Sequence, residues 1–218
     1  MTPPKDTIYV WSADFTDLLT SYDKLTATLS SDERQRAGSF GHETARKNFE
    51  LSRGMLRMLL GNSLFINPKD VTFKYGEHGK PALSSATEIE FNLSHSANIA
   101  VVALTTHTQI GVDVEKIREL SREDLFARKL LSASELEHYE KLESGQKRSW
   151  LFQIWVMKEA VGKAAGKGIS LPLTALEARH PSWNVETFVP RAGYQGAIAY
   201  SGRLKKIVYG DWRIALEK

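Results

Sequence analysis

Gln109-Ile110-Gly111-Val112-Asp113-Val114-Glu115 decides how the rest of the chain is read. In extended backbone successive side chains point to opposite faces. Ile110, Val112 and Val114 then share one face, and Gly111, Asp113 and Glu115 share the other. Ahead of it, Ile8 to Trp11, Val71 to Tyr75, Glu90 to Leu93 and Ile99 to Thr105 also read as strands. Between them, Thr44 to Leu60 repeats Ala45, Phe49, Leu56, Leu59 and Leu60 at helical spacing, with Gly61 as its stop. After it, Ser121 to Gly145 predicts two short helices, started by the capping-box pairs Ser121/Asp124 and Ser132/Glu135. A long helix follows from about Lys147 to Ala165, ending near Gly166 and Gly168. The chain then returns to strands at Asn184 to Val189, Gly196 to Tyr200, Lys206 to Tyr209 and Trp212 to Leu216. Strands followed by helices, twice over, predict an α+β protein of two comparable halves, residues 1–106 and 107–218, hinged at Thr105 to Thr108.

The 218 residues are 42% hydrophobic and 25% charged, which excludes a disordered or low-complexity chain. There is no Cys, so disulfides, thiolate metal sites and cysteine nucleophiles are excluded. A net charge of +3 without a dense basic stripe argues against nucleic acid. The longest apolar run, Ile99 to Leu104, is far short of the roughly 20 residues that span a bilayer. No secretory h-region follows the N-terminus, so the expected location is cytoplasmic, away from membranes.

Four groups of residues could carry chemistry. Asp113 and Glu115 on one strand face are either an acidic solvent face or hard oxygen ligands for Mg²⁺. In Trp155-Val156-Met157-Lys158-Glu159-Ala160-Val161-Gly162-Lys163-Ala164-Ala165-Gly166, Glu159 and Lys163 stand one turn apart. They are either a surface ion pair or part of a face whose small residues admit a ligand or another backbone. Gly166-Lys167 does not complete a phosphate-binding Walker loop, because the glycine spacing and Gly168 both depart from it. In Phe91-Asn92-Leu93-Ser94-His95-Ser96 the hydroxyls and imidazole suit an anion clamp or a structural histidine; adjacent strand residues cannot form a nucleophile–base pair. Arg46, Arg53 and Arg57 lie along one helix, as a solvated face or as a cationic wall facing phosphates.

With Gly79-Lys80-Pro81, these pieces in this order resemble the Sfp-type 4′-phosphopantetheinyl transferases. The family signature is G-[IV]-D-[IV]-E, then about 40 residues later W-x-x-K-E-[AS]-x-x-K-x-x-G. The likeness covers roughly residues 8 to 216, with Leu131 where the family often has Phe. It implies two related α+β halves, in pseudo-two-fold relation, with the active site in the cleft between them. It implies transfer of the phosphopantetheine arm of coenzyme A to a serine of an apo acyl or peptidyl carrier protein, with release of 3′,5′-ADP. Asp113, Glu115 and Glu159 would hold Mg²⁺, with Mn²⁺ as the alternative. Glu159, or a water it orients, would be the base, and Lys163 would meet the diphosphate. Arg53, Ser94 and His95 would meet the CoA phosphates, and Lys80 and Pro81 the adenine nucleotide. Lys158 points off the Glu159 face. A monomer is expected. Ile117 and Leu120 are the expected exposed anchors for the carrier, with Leu125 and Phe126 in the core. Two other readings are a different Mg²⁺ enzyme acting on a nucleotide diphosphate and a basic binding module.

Overall fold

A computed structural model describes residues 2–166, 173–178, 180–203 and 205–216. Along them run β1 (Thr7–Asp14), α1 (Phe15–Leu19), α2 (Tyr22–Thr26), α3 (Ser31–Gly38), α4 (Glu43–Leu64), β2 (Phe73–Tyr75), β3 (Pro81–Leu83), β4 (Ile89–Ser96) and β5 (Ile99–Thr106). Then come β6 (Ile110–Lys116), α5 (Glu123–Leu130), α6 (Ala133–Lys141), α7 (Ser144–Ala165), β7 (Asn184–Phe188), β8 (Tyr194–Tyr200) and β9 (Lys206–Gly210). Single 3₁₀ turns lie at Pro68–Asp70, Leu173–Ala175 and Trp212–Leu216.

The unbroken apolar run is β5, and every one of its residues is buried. It is apolar on both faces because it is covered on both faces. Ala100, Val102 and Leu104 pack with Leu51, Met55 and Leu59 of α4. Ile99, Val101 and Ala103 pack against Ile110, Val112 and Val114 of β6 and Ile198 of β8. On the far side of β8, Ala197 and Ala199 pack with Val156, Ala160 and Ala164 of α7. The layers are therefore α4, a four-stranded sheet in the order β4-β5-β1-β9, a three-stranded sheet in the order β6-β8-β7, and α7. This is the expected α+β class, with one 22-residue helix on the outside of each sheet. β9, late in the chain, returns to pair in parallel with β1.

Several local expectations are corrected. Gly61 does not end α4, which runs on to Phe65 in the left-handed region (φ 58). The chain turns back over the helix, and a Cβ there would crowd it, at 3.0 Å from the Ile66 carbonyl oxygen and from Pro68 Cγ. Ser121 caps no helix; α5 starts after Arg122, whereas Ser132 and Glu135 do form the capping box of α6. Trp212 to Leu216 is a 3₁₀ turn, started by Arg213 N–H on the Asp211 carboxylate at 3.0 Å, and Trp212 fills the core beside α4. Helix α7 does stop at Gly166 (φ 68), whereas Gly168 lies outside the described residues.

The cationic wall is corrected too. Helix α4 is enclosed by α2, α3, the sheet and the Pro68–Asp70 turn, so only its outer turns meet water. Arg57 is 2% exposed; its Nε donates to Glu33 at 2.6 Å, and its Nη1 to the carbonyls of Pro68 (3.1 Å) and Val71 (2.8 Å). Arg57 therefore ties α4 to α3 and to the following loop. Removing one partner of such a buried pair leaves an uncompensated charge. Arg57→Met should lower unfolding free energy by about 3–5 kcal/mol, read from urea denaturation. Glu33→Leu combined with Arg57→Met should recover most of it. A loss below about 1 kcal/mol for the single change, the range of exposed pairs, would contradict the buried pair.

Candidate active site

Gly111 faces α7, and a Cβ built on it would run into the Ala160 carbonyl oxygen and the Ala164 backbone nitrogen. Without a side chain there, α7 lies directly on β6. That contact carries Glu159 and Lys163 to the strand that bears Asp113 and Glu115. The small residues of this helix face therefore admit another backbone.

β6 is an edge strand, and its open side meets β4, the edge strand of the other sheet. Asn92, Ser94 and Ser96 are opposite Ala103, Val101 and Ile99 of β5, so they share the face turned towards the second sheet. The Val112 N–H donates to Asn92 Oδ1 at 2.9 Å. Ser94 Oγ donates to Asp113 Oδ1 at 2.8 Å, and Ser96 Oγ to Glu115 Oε2 at 2.7 Å. The Lys116 N–H closes the row on Ser96 Oγ at 3.2 Å. Asn92 is not among the expected site residues, and Ser96, read from sequence as a hydroxyl of an anion clamp, donates instead to a carboxylate. Their signal is the polar alternation Asn92, Ser94, Ser96 in a strand that otherwise alternates apolar.

Asp113 is 4% exposed, more enclosed than a solvated acidic face. Lys163 Nζ donates to Asp113 Oδ1 at 2.6 Å and to Ser94 Oγ at 2.9 Å, so the Lys163 ammonium faces Asp113 across the seam rather than forming a surface pair with Glu159. Burial raises the proton affinity of both Glu115 and Glu159, and the charge of Asp113 adds to each shift. Lys163 pulls both the other way, as do Ser96 at Glu115 and Trp155 at Glu159.

His95 is on the opposite face of β4 from Ser94, edge-on to Phe15 at 6.2 Å. Desolvation and then the nearby Lys163 hold its imidazole below the usual pKa. Arg53 is 8% exposed, with its guanidinium 5.7 Å from the Phe49 ring centre and 5.8 Å from that of Phe73. Arg46 is on the surface. Lys80 donates from Nζ to the carbonyls of Ile110 (2.9 Å) and Ala164 (3.2 Å), and Pro81 follows it at the start of β3. Lys158 is fully buried on the other side of α7, donating to Leu130 O at 2.8 Å and Leu173 O at 2.9 Å and paired with Glu135 at 2.5 Å.

Among the described residues three buried side-chain polar atoms have no hydrogen-bond partner: Glu33 Oε1, Arg53 Nη1 and Asp113 Oδ2. Such atoms are costly unless something meets them. Asp113 Oδ2 is an oxygen donor beside two further carboxylates held in a poorly solvated setting, which fits a hard divalent cation. As placed, no three His, Asp or Glu side chains among the described residues already converge on one point. Glu115 is drawn aside by Ser96, and Asp113 Oδ1 is taken by Lys163 and Ser94.

The raised carboxyls set a pH dependence. A carboxyl whose pKa is raised on folding favours the fold when protonated and loses that contribution as pH rises through the folded value. Without added metal, Glu159→Gln should therefore raise the melting temperature at neutral pH by roughly 2–4 °C, the shift that about 1 kcal/mol gives a chain of this size. The gain should shrink as pH falls through the carboxyl range. A variant that melts lower than the parent at neutral pH would contradict the assignment.

Residues 109–217 match the family model described as the 4'-phosphopantetheinyl transferase superfamily. Residues 13–107 match the model of the N-terminal part of 4'-phosphopantetheinyl transferases. The chain is 34% identical over 210 residues to the 4'-phosphopantetheinyl transferase HetI of Nostoc sp., covering 90% of this chain and 89% of that one. It is 26% identical over 169 residues to the 4'-phosphopantetheinyl transferase Sfp of Bacillus subtilis, covering 77% and 74%. Over 126 residues it is 32% identical to the 4'-phosphopantetheinyl transferase AcpT of Salmonella typhi, covering 58% and 64%. With one signature on the strand that carries Asp113 and the other on the helix that packs against it, the chain belongs to the 4′-phosphopantetheinyl transferase family.

Proposed function

We propose that this transferase moves the 4′-phosphopantetheine arm of coenzyme A to a serine hydroxyl of an apo acyl or peptidyl carrier protein, using Mg²⁺ and releasing 3′,5′-ADP. The observation that carries the reading is the seam itself: Lys163, Ser94 and Asp113 within hydrogen-bond distance, with Asp113 Oδ2 free. The serine oxygen forms a bond to the β-phosphorus of the diphosphate. The bond from that phosphorus to the oxygen bridging to the α-phosphate breaks, and the electron pair leaves with 3′,5′-ADP. Asp113, Glu115 and Glu159 would hold the divalent cation, Mg²⁺ or alternatively Mn²⁺, which neutralises diphosphate charge when bound.

Lys163 supplies positive charge where negative charge grows on the leaving phosphate. Glu159, or a water it orients, takes the serine proton; burial beside Asp113 raises its proton affinity and suits it to that task. Arg53, with its free Nη1, and His95 meet CoA phosphates from the α4 side, while Ser94 does so from the seam by turning its hydroxyl from Asp113 to the phosphate. Lys80, through its backbone and stem, and Pro81 lie against the adenine nucleotide. A cavity of about 320 Å³ beside Glu159 and Gly162, walled by Leu173, Leu176 and Trp183, is sized for part of the pantetheine arm. In this reading residues 1–106 hold the nucleotide and 107–218 the metal and catalytic helix. No helix among the described residues is long and apolar enough to cross a membrane. A cytoplasmic monomer is part of the proposal.

The carrier surface changes from the one expected. Leu125 is 52% exposed, whereas Ile117 is half-buried and Leu120 and Phe126 pack partly against the core of the second half. Leu125 lies on α5 among exposed Arg122, Arg128 and Lys129, a short way along the chain from β6. An apolar anchor with Arg122, Arg128 and Lys129 one turn to either side along α5 suits an acidic carrier helix, the anchor supplying affinity and the charges the encounter rate.

Incubation with CoA, Mg²⁺ and a panel of apo-carriers, followed by mass spectrometry, tests the reading; no mass gain on any carrier would refute it. Asp113→Ala should lower turnover by about 10²–10³-fold, the scale of losing an electrostatic stabiliser, and reversible chelation should do the same to the parent. Full turnover in excess chelator would remove the metal from the account. Leu125→Ala should raise the KM for carrier about tenfold, as for an interface anchor, and leave that for CoA alone. Unchanged carrier kinetics would place the docking surface elsewhere.

A further inference from the structure

Lys80 belongs to the first half but spends its ammonium on the second. The turn that presents it is held by its own backbone: Gly76 N–H donates to the Lys80 carbonyl at 3.0 Å, and Gly79 N–H to the Gly76 carbonyl at 2.9 Å. Gly79 at φ 78 occupies a region that only glycine enters cheaply. Tyr75 and Pro81 pair across the hairpin, so Lys80 leaves a fixed backbone. Its Nζ reaches the first carbonyl of β6, Ile110, at 2.9 Å and a last-turn carbonyl of α7, Ala164, at 3.2 Å.

The last carbonyls of a helix lack partners in the helix and carry the negative end of its dipole. The amide of Gly166 answers the carbonyls of Gly162 and Lys163. The Ala164 carbonyl is met by Lys80 from the other half. Ala164 is also the residue whose backbone presses on the bare Cα of Gly111, and it directly follows Lys163. One ammonium thus bridges the helix and the strand whose spacing brings Lys163 to Asp113.

We propose that Lys80 is a positioning residue: a strut from the Gly79-Lys80-Pro81 turn that clamps the end of α7 to the start of β6 and so holds Lys163 on Asp113. The inference rests on the proposed function only in its kinetic consequence. If the adenine nucleotide lies against this turn, the strut joins the nucleotide seat to the catalytic helix. Binding energy from a part of CoA remote from the reacting phosphorus is then used to hold the helix in place for the transfer.

Two measurements on Lys80→Met and Lys80→Arg test it. Hydrogen–deuterium exchange of the parent and variant, without substrate, should show the amides of the last turn of α7 and the start of β6 exchanging about tenfold faster in Lys80→Met, with α4 and β5 unchanged. Lys80→Arg, which keeps a cationic donor, should restore most of the protection. This arm needs no carrier and reads the strut even if the proposed reaction fails. In turnover, Lys80→Met should lower kcat at least about tenfold, as small misplacements of a reacting group do, with KM for CoA within about twofold. In a Lys163→Ala background that kcat loss should vanish, because the strut acts through Lys163. A rise in KM for CoA with kcat and exchange unchanged would overturn the proposal and leave Lys80 as a nucleotide contact alone. Faster exchange across the whole chain, with additive losses in the double variant, would overturn it as well. If Lys80→Met does not fold, Lys80→Gln carries the same comparison.

Discussion

The missing side chain at Gly111 sets the distance between β6 and α7. Any Cβ there would strike the backbone of Ala160 and Ala164. Three facts follow from that spacing. Asp113, two residues on and on the same strand face, is covered by the helix and becomes 4% exposed. Lys163, on the approaching face, comes within 2.6 Å of it. Glu159, one turn earlier, has its proton affinity raised by burial and then by the charge of Asp113. A glycine in the middle of a strand costs stability relative to a residue with a side chain, and here that cost is tied to the approach of a second backbone.

The open edge of β6 is met by side chains of β4 rather than by a backbone ladder. Asn92, Ser94 and Ser96 complete hydrogen bonds that an edge strand would leave to water, two of them to carboxylates of the site. The two sheets are thus joined by a polar row at their edges and an apolar layer between their faces. The candidate site is where that row meets α7. Its carboxylates are desolvated and close together, which is unfavourable for the metal-free fold and favourable for a cation or a reacting proton.

Much of this was legible in the sequence, for physical reasons. The alternation of Ile110 to Glu115 does separate an apolar face from an acidic one, because strand geometry has a period of two. The Ser132/Glu135 box starts α6 because its partners lie within one turn. What failed depended on contacts distant in sequence. Arg57 looks like a surface cation until α3 brings Glu33 to it across 24 residues. Gly61 looks like a helix stop until the loop that it admits is seen. Leu125 is left exposed and Leu120 packs partly on the core, because the covered face of α5 is set by α7 and the Leu173–Ala175 turn, both distant in sequence. The ammonium of Lys80 reaches Ala164 across 84 residues, a contact that no local pattern encodes.

The claim that the β6–α7 seam is the reaction centre is tested most directly by anomalous diffraction from crystals grown with Mn²⁺ and CoA. The account predicts one strong anomalous peak at coordination distance from Asp113 Oδ2, with a carboxylate oxygen of Glu115 or Glu159 completing the protein ligands. A peak bound elsewhere, with Asp113 Oδ2 still without a partner, would contradict it.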